Sequence, residues 1–165
     1  MRDHDARTYQ DILQRMTARY LTVHPTGIEL PDQAQRLTHL DAKILNHGAA
    51  RTLYRAHRPV CRSLDGIHAI GDDNKHCAAC PAQAQCTPQV RVELLFDGMP
   101  YRLLLSFTSA KNFILYLTTL HRRRLDLQTV RTRIRLLNRG SWGELRFDVV
   151  PDRSPAPDAT PNSAT

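Results

Sequence analysis

The spacing of apolar residues changes period partway along the chain, and that change marks out its elements. In the first third the period is helical. Tyr9, Ile12, Leu13, Met16 and Tyr20 share one face of a helix over residues 1–21, which His24-Pro25-Thr26-Gly27 ends. Ala34, Leu37, Leu40, Ile44 and Leu45 repeat the pattern after Pro31-Asp32 and predict a second helix stopping near Asn46-His47-Gly48, with a short third over 49–56. Arg58-Pro59-Val60-Cys61 then reads as a short strand. From residue 90 the period is two. Val90, Val92, Leu94 and Phe96 line one strand face, Asp97-Gly98 makes the hairpin turn, and Tyr101, Leu103, Leu105 and Phe107 line the return strand. Thr108 or Ser109 caps a helix over 110–123, with Phe113, Ile114, Leu117 and Leu120 on its apolar face. Val130, Thr132, Ile134 and Leu136 alternate with Thr129, Arg131, Arg133 and Arg135 in a further strand. A glycine-bracketed turn, Asn138 to Gly143, leads to a last one bearing Leu145, Phe147 and Val149.

That order predicts an α+β fold, an OB-like five-stranded small barrel with the helix between strands 3 and 4 and a long loop between strands 1 and 2. A four-stranded α+β sheet with a zinc knuckle is the alternative. The expected division is an N-terminal helical extension over 1–57, a β-rich domain over 58–150 and a tail over 151–165. The extension packs on the core or holds a partner protein. The tail has four prolines and no bulky apolar residue, so disorder is expected there.

The long loop, residues 61–86, carries all four cysteines: Cys61, Cys77, Cys80 and Cys86, spaced C-x15-C-x2-C-x5-C. A C-x-x-C pair can place two sulfurs on one ion from a single tight turn, and two more thiolates complete the tetrahedron of structural zinc. Between them lie only Leu64, Ile67 and Ile70 as bulky apolar residues, too few to offset the loop's ordering entropy by burial. Residues 1–10 are polar and charged, unlike a secretory leader, which favours a cytoplasmic location over disulfides. An iron–sulfur cluster also takes four thiolates, but this spacing does not follow the ferredoxin runs. His68 and His76 read as surface or supporting residues. Four protein ligands leave no open position for water, so the ion is structural.

Charge adds a candidate partner. The formal net charge is +7 over 165 residues, and the 23 basic side chains are almost all arginine, with lysine only at 43, 75 and 111. Arginine binds phosphate bidentately and stacks on bases, although a GC-rich genome enriches it as well. Position carries more weight than total. Between residues 101 and 147 the acids are Asp126 and Glu144, against Arg102, Lys111, Arg122, Arg123, Arg124, Arg131, Arg133, Arg135, Arg139 and Arg146. Arg131, Arg133 and Arg135 project from one side of one strand, about 7 Å apart. Trp142 sits at a hairpin tip beside Arg139, where it can stack on a base; Tyr101 and Tyr116 are weaker candidates. A basic track with an aromatic platform holds single-stranded DNA or RNA without sequence readout. The plain alternative is a solvated edge strand and a core tryptophan. No P-loop, G-x-S-x-G or H-E-x-x-H run is present, and Asp65, Asp72 and Asp73 read as turn residues, so an enzyme is not expected. No apolar run reaches the roughly 18 residues of a membrane span.

Pro59-Val60-Cys61-Arg62-Ser63-Leu64-Asp65-Gly66, followed by Cys77-Ala78-Ala79-Cys80-Pro81 and Cys86, resembles the P-x-C-x-S-x-D-G … C-x-x-C-P … C box of uncharacterised proteins from phages and integrated mobile elements. The segment Phe107-Thr108-Ser109-Ala110-Lys111-Asn112-Phe113, with a helix and a Trp-Gly hairpin after it, is similar to the region C-terminal to the box in those proteins. The likeness covers roughly residues 58–150. It implies zinc and a place in mobile-element DNA metabolism as a single-strand binder. A zinc-stabilised subunit that docks a larger nucleoprotein complex, or assembles as a homo-oligomer, is the second expectation.

Overall fold

The computed structural model describes residues 19–31, 33–71 and 76–151. The helix expected over 1–21 and the tail over 151–165 therefore lie almost wholly outside the described residues. In chain order the strands are β1 (Thr22–His24), β2 (Gly27–Glu29), β3 (Arg36–Leu37), β4 (His39–Arg55), β5 (Arg58–Ser63) and β6 (Ala69–Gly71). Two single 3-10 turns, Cys77–Ala79 and Gln83–Gln85, precede the β-hairpin of β7 (Thr87–Phe96) and β8 (Met99–Leu105). Helix α1 (Phe107–Arg122) and a second hairpin, β9 (Thr132–Asn138) with β10 (Gly143–Val149), complete the described elements. Among the described residues the fold is mostly antiparallel sheet, curled into a half-barrel, with one helix.

Strand β4 organises it. The strand is 17 residues long and has three neighbours. Its start pairs with β9 (Leu40↔Ile134, Asp41↔Arg133), its middle with β7, and its end with β5 (Leu53↔Cys61). The helices expected after Pro31-Asp32 and over 49–56 are corrected here: the described residues of those segments hold β3 and β4. Leu40, Ala42 and Ile44 are buried in strict alternation, while Lys43 points to solvent. Ala42 is small enough to hide the alternation, and the register shifts between Ile44 and Asn46, so that Leu45 gives the sequence a false helical spacing. Of the 1–57 extension, the described residues from 19 onward belong to the same sheets and core as the rest. The proposed boundary falls in the tight turn of the β4–β5 hairpin, where Ala56 and His57 have φ of 48° and 63°.

The core confirms the point. Ile28 in the small β1-β2-β3 sheet and Leu30 just after β2 are 0 and 1% exposed and belong to the same cluster as Leu94, Leu103, Ile134 and Leu145. Burying such a side chain is worth about 1.5–3 kcal/mol, too much for a loosely attached arm. The expected stop at His24-Pro25-Thr26-Gly27 is the β1–β2 turn. A side chain at Gly27 would collide with the Arg36 Cβ, so β3 can approach only a glycine.

Helix α1 begins a turn earlier than expected, with Ser106 rather than Thr108 or Ser109 at its N-cap. Its buried face is Ser109, Phe113, Tyr116 and Leu120; Ile114 is 55% exposed. Phe113 packs edge-on against Phe147 at 5.1 Å, and the Ser109 hydroxyl accepts the Leu145 N–H at 3.0 Å, fixing α1 on β10. No ladder joins β8 to β10 among the described residues. Residues 19–24 occupy the seam instead. Leu21 N–H donates to the Arg102 carbonyl at 2.8 Å, and a Cβ on Gly143 would lie 2.7 Å from the His24 carbonyl oxygen.

Candidate nucleic-acid interface and cysteine pocket

The cysteine segment is built from β5, β6 and the two 3-10 turns. Cys61 is held in β5 between Leu53 and Gly71. Cys77 N–H donates to the Ile67 carbonyl at 2.7 Å, and Cys80 N–H closes the C-x-x-C turn on the Cys77 carbonyl at 3.2 Å. The second 3-10 turn brings Cys86 back, its N–H on the Gln83 carbonyl at 3.1 Å. All four cysteines line one cavity of about 130 Å³ together with Leu53, Val60 and Arg55. None is in a disulfide. Burial, then the neighbouring Cys80 and Cys77, pushes the Cys86 thiol above its ordinary pKa, with Arg51 acting the other way. In number and kind the donors fit a thiolate-bound ion. Among the described residues, however, no three His, Cys, Asp or Glu side chains are gathered at ligating distance.

His68 and His76 stand apart from the cavity, with ring centroids 5.0 Å from each other. Asp65 has the turn role read for it. Its Oδ1 accepts the N–H groups of Ile67 (2.8 Å) and His68 (2.7 Å) and the Ser63 hydroxyl (3.1 Å), while Oδ2 lies 2.6 Å from His68 Nδ1. Burial opposes the charged carboxylate, but the hydrogen bonds from His68, Ile67 and Ser63 win and hold Asp65 well below the usual aspartate pKa.

The arginines divide into two groups. Strand β9 is interior, flanked by β4 and β10, and not an edge. Arg133 is bidentate to Asp41 at 2.6 and 2.7 Å, and Arg135 binds Asp148 at 2.7 Å. Arg139 and Arg146 share Glu144, each at 2.8 Å. The row of like charges is thus answered largely by the chain's own carboxylates. The pairing holds Asp41 below its ordinary pKa, through the Arg133 hydrogen bonds against burial, and holds Glu144 low through Arg139 and Asn112. By contrast Arg122, Arg123, Arg124 and Arg131 are exposed and have no ion-pair partner among the described residues. His121 and Arg122 end α1, where positive charge suits the helix dipole, and Arg124 turns the chain at φ 55°.

A groove of about 330 Å³ between α1 and the β9–β10 hairpin brings two expected residues together, Arg123 and Arg135, and adds Arg146. Register explains Arg146, which pairs directly with Arg135 across the hairpin. Trp142 lies in the β9–β10 turn, whose Arg139 N–H donates to the Trp142 carbonyl at 3.0 Å, and it is 42% exposed. It borders a different groove, of about 380 Å³, lined also by Tyr20, Tyr54 and Arg62. Tyr20 and Tyr54 were hidden from sequence reading by the helical assignment of their segments, and Arg62 by its place in the cysteine loop. The signal available was the run Arg51 to Arg62, with four arginines and no acid. Tyr101 and Tyr116 are corrected: both are buried, and the Tyr116 hydroxyl bonds Thr132 Oγ1 at 2.7 Å, so neither can stack on a ligand.

No family model, curated protein or solved structure matches the chain. No helix among the described residues is long and apolar enough to cross a membrane.

Proposed function

We propose that this chain is a non-catalytic single-stranded nucleic-acid-binding protein of a phage or integrated mobile element, stabilised by a structural zinc ion. The observation that carries the reading is the α1/β9–β10 groove. Arg123 borders it without a carboxylate partner among the described residues, beside Arg135 and Arg146, which Asp148 and Glu144 hold, and Arg122, Arg124 and Arg131 stand exposed and equally unpaired there. Exposed, unneutralised guanidinium groups release counterions when phosphates replace them, which is the driving force for binding a strand without sequence readout.

The finer architecture we propose is an OB-like barrel whose five strands are β4, β7, β8, β9 and β10, with α1 between the third and fourth. The observed registers support that order: β4 pairs with β7 and β9, β7 with β8, and β9 with β10. The first barrel strand is then β4, not the short strand near Val60. The cysteine segment still falls between strands one and two.

Cys61, Cys77, Cys80 and Cys86 would hold the zinc, which when bound supplies a cross-link to a segment poor in apolar residues. The chain's own contribution is to bring four thiols to one cavity without a disulfide. A labelled oligonucleotide titrated at several salt concentrations tests the reading. Affinity that falls with salt supports it, and no binding at low salt refutes it.

A further inference from the structure

We propose that the groove beside Trp142 is a pocket for an unpaired nucleobase of the bound strand. The inference rests on the single-strand reading and adds the base-binding half of the site. Tyr54 of β4 and Trp142 of the β9–β10 turn are each 42% exposed, and they open on the same groove as Tyr20. Large aromatic faces left to solvent in one concavity are what a stacked base covers.

The polar groups there suit the edge of a base. Arg62 is the only charged residue lining the groove among the described residues. Its guanidinium lies over the Tyr20 ring, 5.4 Å from the centroid, and its Nε–H is buried with no acceptor. No other side-chain hydrogen bond or ion pair engages Arg62 among the described residues, so turning it toward a carbonyl or phosphate on a ligand sacrifices none. Gln89 also borders the groove. Its Oε1 accepts the Thr52 hydroxyl at 2.6 Å, which fixes the amide and leaves its NH2 group to donate. No carboxylate lines the groove among the described residues, so a basic peptide finds no partner there, whereas a neutral base with a phosphate at its side finds aromatic faces, amide donors and one cation.

The two grooves follow one another along α1, with Leu145 of β10 lining one and Arg146 the other. One is bordered by Ser106 at the helix N-cap, the other by Arg123 at its C-cap. Ser109 lines the first and Asn112 the second, so roughly 5 Å of helix separates them along an α1 roughly 24 Å long. A strand lying along it reaches both, phosphates at one end and a base at the other.

The test compares dT8 with an eight-unit abasic strand of the same phosphodiester backbone on the unmodified protein, read by anisotropy and by the fluorescence of Trp142, the chain's one tryptophan. The expected result is quenching by dT8 alone and at least about tenfold tighter binding of dT8. Tyr54→Leu should then bring dT8 down to the abasic affinity at an unchanged salt slope. Equal affinity of the two strands, with no quenching, overturns the base pocket and leaves the phosphate reading standing. Failure of both strands to bind at low salt overturns both. Quenching by an apolar peptide but not by dT8 assigns the groove to a protein partner and also overturns the inference.

Discussion

Replacing Arg122, Arg123 and Arg131 together with glutamine should flatten the salt dependence of strand binding much more than replacing Arg133 and Arg135. The difference follows from who already holds each guanidinium. The first three have no carboxylate partner among the described residues, so a phosphate displaces only mobile counterions from them. Each contributes about 0.7 to the slope of log K against log salt for a single strand, about 2 for the three. Between 50 and 200 mM salt, wild type should lose about 16-fold more affinity than this triple variant. Arg133 and Arg135 are clamped on Asp41 and Asp148 at 2.6–2.7 Å. Moving either to a phosphate strands a carboxylate, which gathers a cation in return, so the net release is near zero. The double variant should change the slope by well under one unit and should instead lower the melting temperature, because Asp41 loses its bidentate partner. Fluorescence anisotropy with a labelled oligonucleotide at four salt concentrations, with circular dichroism as a check on folding, measures both effects. An unchanged slope in the triple variant, or equal flattening in the double, would refute the reasoning.

Mass spectrometry under native conditions should find one zinc per chain, in a colourless preparation, and Cys80→Ser or chelation should lower the melting temperature; a brown protein with visible absorbance would point to an iron–sulfur cluster. Asp65→Asn removes the charged acceptor of the Ser63–His68 turn and should cost about 1–3 kcal/mol at neutral pH, read as a lower urea midpoint. Because the folded carboxyl is held low, wild type has this stability in full above the ordinary aspartate value of about 3.9 and loses it as pH falls through the lower folded value. The variant's stability should therefore vary less below about pH 4, and an identical acid limb in both proteins would count against the assignment. Gly143→Ala places a Cβ 2.6 Å from Leu136 Cδ1 and 2.7 Å from the His24 carbonyl oxygen. The backbone oxygen cannot swing aside, so the seam must open, and protease cleavage near residues 19–24 should speed up; unchanged cleavage would show that the seam yields without cost.

What could be read from the chain was local. The Asp97-Gly98 turn, α1 and the β9–β10 hairpin are specified by residues a few positions apart, and they stand where the pattern put them apart from the helix start. The C-x-x-C turn is local too. Strand β4 was illegible because its partners lie as far off as His39↔Arg135, with Arg133 and Asp41 92 residues apart, and because a register shift breaks its alternation. The same distance hid the neutralisation of Arg133. Nothing beside Arg133 in sequence announces Asp41, so a row of bare cations was the natural reading. Tyr54 and Arg62 went unseen for a related cause: their common groove exists only after β4 and β5 pair and the distant turn bearing Trp142 closes over them.

The long strand also constrains the order in which the molecule can be made. Its first four paired residues, His39 to Ala42, wait for Thr132 to Arg135, which leave the ribosome some ninety residues later. Throughout that interval the nascent protein carries a ready sheet edge beside Leu40 with nothing to cover it. Truncations that end after α1 should therefore self-associate, and the last hairpin serves as the clasp that keeps newly made copies from finding one another.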